Sequence, residues 1–362
     1  MKRNSLVFQM LTGVAGAVAA YALDSVKGNK TEGSQGNRAE GSRRERRVVL
    51  ITGGSRGLGL AMAERFAREG NRLVLAARDM EELTAARSQL LKSRAIHATE
   101  DVLLIPADLT DQAQAANLVE HAIENFGRID VLINNAGIIE VGPVEDQPIE
   151  AYRRAMATNF FAALYMTQAV LPYMLYRDRR NPAAIVNICS IGGKVAVPHL
   201  LPYTASKFAL VGFSEGLHAE LRHKGVRVTT VCPWLMRTGG HRHASFTGDH
   251  KKEERLFSLA ATLPLVTVSA KRAANQIYHA VARGRAEILI APQAWLAARA
   301  AALAPETVQR LSSLANEFLL PGSRSKEIGS AVARKAGEEV EKAQGRATSA
   351  PWTSSAASQT VM

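Results

Sequence analysis

The feature that most constrains this sequence is a regular alternation between short apolar runs and longer stretches whose apolar residues recur at helical spacing. The runs are apolar along nearly their whole length, which is typical of strands buried on both faces of a parallel sheet. Parallel neighbours require crossover helices, and right-handed crossovers give a doubly wound fold. The predicted strands span residues 48–52, 72–76, 102–107, 131–134, 184–190, 226–232 and 287–291.

The alternation continues without a break over residues 46–291, which are therefore predicted to form one α/β domain. Its expected architecture is a Rossmann-like doubly wound parallel sheet with helices on both faces. Residues 292–321 carry apolar residues at broadly helical spacing and are predicted to be a C-terminal helical extension that packs on the domain or on a partner. Residues 322–362 are dominated by Ser, Ala, Lys and Glu and are predicted to be a polar, mobile tail.

The N-terminal region divides into a largely apolar segment, residues 1–26, and a predicted flexible linker, residues 27–45, which is rich in Gly, Ser and charge. Residues 4–23 contain no charged residue, and at about 1.5 Å rise per residue a helix of that length just spans a hydrocarbon core of about 30 Å. A membrane anchor, a cleaved signal peptide and a disordered extension all fit this segment. If it is an anchor, the basic residues that follow it would hold the C-terminal side of the chain in the cytoplasm.

Composition excludes several classes of function. With 47% hydrophobic and 22% charged residues, the chain is neither disordered nor a polytopic membrane protein. The two cysteines, Cys189 and Cys232, make no disulfide framework, and no metal is predicted because no cluster of His and Cys has zinc-ligand spacing. The net charge of +12 suits nucleic acid, an anionic membrane or a phosphorylated ligand, but no nucleic-acid recognition motif accompanies it. Nucleic acid is therefore not a predicted partner, while charge alone does not choose between a membrane surface and a phosphorylated ligand.

The first predicted strand runs into the sequence Thr-Gly-Gly-Ser-Arg-Gly-Leu-Gly at residues 52–59, and a helical pattern follows at once. Glycine allows a tight turn and close approach of the backbone to a pyrophosphate, which the free N–H groups of the helix N-terminus would bind. The spacing Gly-x-x-x-Gly-x-Gly resembles that of the short-chain dehydrogenase/reductase family, in its single-domain branch. The resemblance implies an oxidoreductase that binds a nicotinamide dinucleotide. The candidate cofactor-binding residues of this turn are Gly53, Ser55, Arg56, Gly57, Leu58 and Gly59.

The residue at the end of the second strand selects the dinucleotide in a fold of this kind, because an acidic side chain there accepts hydrogen bonds from the ribose of NAD. Ala77 stands at that position and Arg78 follows it, while Arg56 supplies a second cation on the same side. Two guanidinium groups that converge on one phosphate form charge-assisted hydrogen bonds, so NADP(H) is predicted in preference to NAD(H). The alternative is that both arginines merely face water.

The resemblance extends to further cofactor contacts. It implies that Asp108 contacts the adenine, although an acidic residue at this position also fits a helix cap or a turn. Trp234 departs from the family, which usually has glycine there; either the loop tolerates a side chain, or the indole faces the substrate cavity. The other positions that match the family's cofactor-binding pattern are Leu109, Asn135, Ala136, Gly137, Pro233 and Thr238.

Tyr203 and Lys207 lie four residues apart, so a helix would place them on one face within about 6 Å of each other. A free tyrosine has a pKa of about 10 and is a poor base at neutral pH. The charge of Lys207 is expected to favour the phenolate and to lower the pKa of Tyr203, so that the phenol exchanges a proton with a substrate oxygen. Taken alone, the pair also fits an ordinary amphipathic helix face.

Two more residues give this pair its context. Ser190 ends the fifth apolar run, 13 residues before Tyr203, and Asn159 lies in the preceding long helix. Together with Tyr203 and Lys207 they resemble the family's catalytic tetrad. The resemblance implies that Ser190 polarises the substrate carbonyl and that Tyr203 is the general acid of reduction. Lys207 would hold the nicotinamide ribose and tune Tyr203, and Asn159 would order a water for proton relay.

The sequence thus predicts an NADP-dependent oxidoreductase that acts on a carbonyl or secondary alcohol, with an apolar or lipid-like substrate if the N-terminus docks on a membrane. The alternatives are a 3-oxoacyl thioester reductase and a dinucleotide-binding regulator without turnover, although a regulator has no need of a complete tetrad. Residues 239–270 are predicted to cover the site, either as a lid suited to an apolar chain with an acidic group or as a solvated loop before a surface helix. The resemblance also implies a homo-oligomer.

Overall fold

A computed structural model describes residues 46–175, 181–239, 244–262 and 267–320 of the chain. The predictions for the apolar N-terminal segment, for the linker after it and for the C-terminal tail fall outside these residues. Within the described ranges, every helix is too short or too polar to cross a lipid bilayer.

The centre of the fold is a seven-stranded parallel sheet with the strand order β7-β6-β5-β4-β1-β2-β3. The predicted doubly wound parallel sheet is therefore confirmed. The fifth strand is shorter than the predicted run, because Cys189 and Ser190 lie beyond its last paired residue. The strands are β1 (Val48–Thr52), β2 (Arg72–Ala77), β3 (Val102–Pro106), β4 (Val131–Asn134), β5 (Ala183–Ile188), β6 (Val226–Pro233) and β7 (Glu287–Ile290).

Both faces of the sheet are covered, which explains why its strands are apolar throughout. Along β1, Val49 and Ile51 belong to the core on one face, while Val48 and Leu50 belong to the core on the other. All four are fully buried, because successive side chains of a strand point to opposite faces. The helices are α1 (Gly57–Ala67), α2 (Met80–Lys92), α3 (Gln112–Phe126), α4 (Ile149–Met156), α5 (Ala162–Met174), α6 (Leu201–Leu221), α7 (His250–Thr262), α8 (Ala270–Arg283), α9 (Pro292–Leu303) and α10 (Pro305–Leu319).

The order of the strands places the candidate site. The chain first winds outward from β1 through β2 to β3, and then returns to β4 on the other side of β1. The carboxyl ends of β1 and β4 therefore lie side by side at the point where the winding reverses, which is where open α/β sheets bind ligands. The glycine turn follows β1, and Asn135 follows β4.

The predicted C-terminal extension is helical and consists of two helices. Helix α9 packs beside β7 and α10 packs on α9. The break falls at Ala304, immediately before Pro305, because proline lacks the N–H that a continuous helix would need. Helix α10 leaves Leu311, Leu314 and Phe318 exposed.

Candidate active site

The glycine turn between β1 and α1 is built so closely that side chains would not fit. A Cβ atom on Gly59 would lie 2.0 Å from the carbonyl oxygen of Gly53, far inside van der Waals contact. Gly53 itself has a φ of 60°, in the left-handed region that favours glycine. Helix α1 begins at Gly57 without a side-chain cap, so its first N–H groups are available to an anion. The turn therefore fits the pyrophosphate of a dinucleotide.

Hydrogen bonds fix this turn to the end of β4. The hydroxyl of Thr52 accepts hydrogen bonds from the backbone N–H groups of Asn135 at 2.9 Å and Ala136 at 3.0 Å. The side-chain amide of Asn135 donates in return to the carbonyl oxygens of Thr52 and Gly53, at 3.0 Å each. The Asn side chain thus joins two strand ends, a structural role that accompanies its predicted place beneath the cofactor.

A cavity of about 1000 Å³ runs from the glycine turn to the N-terminal part of α6. The predicted residues that line it are Gly53, Ser55, Arg56, Gly57, Leu58, Arg78, Asp108, Leu109, Asn135, Ala136, Gly137, Tyr203, Lys207 and Thr238. Sequence reasoning missed several other lining residues, of which the most informative are Glu82, Ile138, Thr158, Ile188, Cys189 and Met236. One cavity thus connects the glycine turn with Tyr203 and Lys207. The predicted site residues that are not among its lining groups are Gly59, Asn159, Ser190 and Pro233.

Tyr203 and Lys207 both project from the first turns of α6 into this cavity. The ammonium nitrogen of Lys207 lies 5.7 Å from the centroid of the Tyr203 ring and donates a hydrogen bond of 2.9 Å to the carbonyl oxygen of Ile188. The spacing of the two residues therefore places them on one face of the helix. The hydroxyl of Ser190 accepts a hydrogen bond of 3.0 Å from the N–H of Gly192 and is also hydrogen-bonded to the phenol of Tyr203.

The pKa of Tyr203 differs from the sequence-based expectation. Burial raises the pKa of Tyr203 to about 12, and the hydrogen bond with Ser190 only partly opposes this effect. Burial also lowers the pKa of Lys207, because a desolvated ammonium is costly. The expected lowering of the Tyr203 pKa is therefore not found: burial of the phenol is the largest influence, and the pKa is raised. At neutral pH the phenol is protonated.

Asn159 is almost fully buried and lies in a π-helical turn, Ala157–Phe161, that joins α4 to α5. Its Oδ1 accepts a hydrogen bond of 2.8 Å from the N–H of Ile138, and its Nδ2 donates to the carbonyl oxygen of Ile138 at 3.1 Å and to Ser206 Oγ at 2.9 Å. Ser206 in turn donates to the carbonyl oxygen of Tyr203 at 2.7 Å. Asn159 thus does not line the cavity; both of its N–H donors hold neighbouring elements in place. Ser206 was missed by sequence reasoning, although it lies within the Tyr-x-x-Ser-Lys sequence itself.

At the other end of the cavity, the two predicted phosphate-binding arginines differ. Arg78 is exposed at the rim, whereas Arg56 forms an ion pair of 2.5 Å with Glu82. Asp108 accepts hydrogen bonds through Oδ1 from the N–H of Thr110 at 3.0 Å and from its hydroxyl at 2.8 Å. Asp108 thus takes part in a turn, while the cap of α3 is Asp111.

Two positions at the end of β6 differ from the expectation for this region. Pro233 is the last residue of β6, buried and paired with Ile290, so it does not line the cavity. The N–H of Trp234 continues this pairing with a hydrogen bond of 3.1 Å to the carbonyl oxygen of Ile290. The indole of Trp234 is not among the lining groups either, and its Nε1 is buried without a partner within the described part of the chain. Of the two alternatives, the structure favours a loop that tolerates the side chain.

The described part of the segment predicted to cover the site, residues 239, 244–262 and 267–270, contains helix α7. A buried hydrogen-bonded pair attaches this helix to the residues just before α6. Nδ1 of His199 lies 2.6 Å from Oε1 of Glu253, and both side chains are buried. His199 has a φ of 61° and lies four residues before Tyr203. Its carbonyl oxygen also accepts a hydrogen bond of 2.8 Å from the N–H of Gly142.

Comparison with known proteins gives a consistent assignment. The family model described as short chain dehydrogenase matches residues 47–246. A dehydrogenase/reductase SDR family protein 7-like from Anopheles gambiae is 35% identical over 246 residues, which cover 68% of this chain and 75% of that protein. A short-chain dehydrogenase/reductase from Burkholderia phymatum, solved in complex with NAD, is 27% identical with a TM-score of 0.66 and covers 73% of this chain and 95% of its own.

A second solved structure, a variant of actinorhodin polyketide ketoreductase with NADPH, is 28% identical with a TM-score of 0.58. The match covers 68% of this chain and 96% of that one. The chain belongs to the short-chain dehydrogenase/reductase family. It is an NAD(P)-dependent oxidoreductase of that family.

Proposed function

We propose that this protein interconverts a carbonyl group and a secondary alcohol with NADP(H) as the preferred cofactor, on a substrate that is apolar or lipid-like. The observation that carries the proposal is the single cavity in which the glycine turn and the phenol of Tyr203 both lie. Ile138, Ile188 and Met236 line the same cavity, which supports an apolar substrate. A bound nicotinamide would supply or accept the hydride, and the protein would supply position and proton transfer.

In the direction of carbonyl reduction, Tyr203 would act as the general acid. Its phenol is protonated at neutral pH and would donate its proton to the substrate oxygen as negative charge develops there. Ser190, hydrogen-bonded to the phenol, would donate to the same oxygen and polarise the carbonyl. Lys207 uses one N–H on Ile188, which leaves donors for the nicotinamide ribose. Asn159 would keep Ile138 and α6 in register rather than contact the substrate.

The rate of alcohol oxidation is expected to rise as pH increases from neutrality, whereas the rate of carbonyl reduction should not rise. Oxidation requires the phenolate of Tyr203 as a base, and a pKa raised to about 12 leaves little phenolate at neutral pH. The measurement is kcat/KM from initial rates in both directions between about pH 6 and pH 10. Cofactor affinity over the same range serves as the control, and an oxidation rate that falls with rising pH would contradict the assignment.

The preference for NADP(H) is supported by Arg56 and Arg78 at the adenosine end of the cavity and by Ala77, which offers no carboxylate to a ribose hydroxyl. Asp108 keeps one carboxylate oxygen beyond its bonds to Thr110 and would accept from the adenine. The similar structures contain NAD in one case and NADPH in the other, so the choice depends on this chain's own residues.

Arg78→Ala is expected to lower kcat/KM for NADPH by about tenfold to a hundredfold while changing the value for NADH by less than about threefold. The reason is that only the 2′-phosphate would need the guanidinium. Lys92→Ala, which removes an exposed cation at the far end of α2, the helix that follows Arg78, is the charge-matched control. Equal losses with both cofactors would show that Arg78 does not select between them.

A second candidate function is the reduction of a 3-oxoacyl thioester. It is favoured by the likeness to a polyketide ketoreductase and to a putative ketoacyl reductase from Streptomyces violaceoruber, 37% identical over 193 residues. The two functions are separated by following dinucleotide absorbance with a panel of ketones, aldehydes, quinones and acyl thioesters. Turnover confined to the thioesters would replace the first proposal with the second. If no compound is turned over although the dinucleotide binds, the regulator interpretation is supported instead.

The proposal includes a cytoplasmic catalytic domain, membrane contact through residues 4–23 and assembly into a homo-oligomer. The uncharged length of residues 4–23 and the basic residues after them support the first two statements. Cell fractionation of the full chain and of a chain that begins at Arg46 tests the membrane contact. Equal recovery of the two in the soluble fraction would contradict it. The mass of the full chain in solution tests the assembly.

A further inference from the structure

The carboxylate of Glu82 binds the donors that a phosphate at this end of the cavity would use. Its Oε1 accepts from the guanidinium of Arg56 at 2.5 Å, and its Oε2 accepts from the hydroxyl of Ser55 at 2.9 Å. Both carboxylate oxygens are therefore engaged by residues of the glycine turn. Glu82 itself lines the cavity, together with Arg78.

The start of α2 explains why Glu82 points toward the glycine turn. Asp79 caps this helix, and its side chain accepts hydrogen bonds from the N–H groups of Glu81 and Glu82 at 2.8 and 3.1 Å. This cap fixes the first turn of the helix, where side chains tilt back toward the N-terminus. Glu81 also lines the cavity and is exposed, but Glu82 is the one that reaches Arg56 and Ser55.

A carboxylate and a phosphate make the same kind of charge-assisted hydrogen bond to arginine, so they compete for one guanidinium. A phosphate dianion that approaches Arg56 must either displace Glu82 or lie beside its negative charge. Both outcomes weaken binding of the 2′-phosphate, and neither affects a ribose that carries only hydroxyl groups. The pair is partly exposed, with side-chain exposures of 50% for Arg56 and 37% for Glu82, so the effect is moderate and the pair can open.

We propose that Glu82 is a specificity-determining residue, which competes with the 2′-phosphate of NADP for Arg56 and so narrows the preference for NADP over NAD. This inference rests on the proposed function in one respect, namely that the 2′-phosphate reaches Arg56. It assigns to Glu82 a role opposite to that of the two arginines. The affinities of the protein for NADP and for NAD would then differ less than they would if Arg56 and Arg78 acted without Glu82.

The test is calorimetric titration of the full chain with NADP⁺ and with NAD⁺, in the wild type and in Glu82→Gln. Glu82→Gln is expected to tighten NADP⁺ binding by about threefold to tenfold and to leave NAD⁺ binding unchanged or weaker. Glu120→Gln removes the same charge from an exposed position of α3 that does not line the cavity, and it should change neither affinity by more than about twofold. Thermal unfolding of each variant shows that it is folded.

A second pair of variants tests whether the effect passes through Arg56. In an Arg56→Ala background, Glu82→Gln should no longer tighten NADP⁺ binding, because a double-mutant cycle isolates the coupling of the two residues. The inference is overturned if Glu82→Gln leaves NADP⁺ binding unchanged or weaker, if Glu120→Gln acts equally, or if the gain persists without Arg56. The wild-type preference is a separate result: a wild type that prefers NAD⁺ but gains NADP⁺ affinity in Glu82→Gln would contradict the proposed cofactor and support the role of Glu82.

Discussion

Tyr203→Phe is expected to lower kcat for carbonyl reduction by about a thousandfold while changing the dissociation constant of NADPH by less than about twofold. The substitution removes the proton donor but keeps the ring that lines the cavity. Ser190 loses its hydrogen-bond partner in the same variant, so the polarised carbonyl is also held less firmly. Because proton transfer is the step affected, the loss should be in kcat rather than in cofactor binding.

Single-turnover absorbance of the dinucleotide measures the chemical step, and quenching of protein fluorescence measures binding. Tyr165→Phe provides the matched control, since it removes the same hydroxyl from α5, where the ring packs 6.0 Å from that of Phe161. The control should retain the wild-type rate. If Tyr203→Phe also retained it, another group would have to be the acid, and the assignment of the whole site would be wrong.

Gly59→Ala is expected to weaken NADPH binding by at least about a hundredfold and to destabilise the protein by about 1–3 kcal/mol. The added methyl group would lie 2.0 Å from the carbonyl oxygen of Gly53, so the turn must move away from α1. Moving it displaces the N–H groups at the start of the helix, which are the ones expected to bind the pyrophosphate.

Gly212→Ala provides a contrast within the same fold. Gly212 lies inside α6, where a Cβ atom would meet no heavy atom within 4 Å, and alanine is the better helix former. This variant should bind NADPH normally and gain up to about 1 kcal/mol of stability. Thermal unfolding and equilibrium titration distinguish the two variants, and wild-type affinity in Gly59→Ala would refute the close approach at this turn.

The parts of this protein that could be predicted from sequence are those that depend on local patterns. The parallel sheet could be predicted from apolar runs such as residues 48–52. Successive side chains of such a run pack into the cores on opposite faces of the sheet, so apolar residues are needed along its length. The glycine turn follows from steric limits that act within eight residues. The shared face of Tyr203 and Lys207 follows from the pitch of a helix.

Other features depend on contacts between distant elements and could not be predicted in this way. The ion pair between Arg56 and Glu82 joins the glycine turn to α2, which follows β2 in the sequence. No rule of residue spacing predicts this pair. The raised pKa of Tyr203 depends on how many neighbours exclude water from the phenol, whereas the sequence reveals only the nearest cation. The π-helical turn at Asn159 similarly follows from bonds to Ile138 and Ser206 that belong to other segments.

The contact between His199 and Glu253 has a consequence for stability. Glu253 belongs to α7, and His199 lies just before α6, the helix that carries Tyr203. Because both side chains are buried, loss of either one would leave the other without this hydrogen-bond partner away from water, at a cost of about 1–3 kcal/mol. The stability of the region that carries Tyr203 is therefore linked to that of α7.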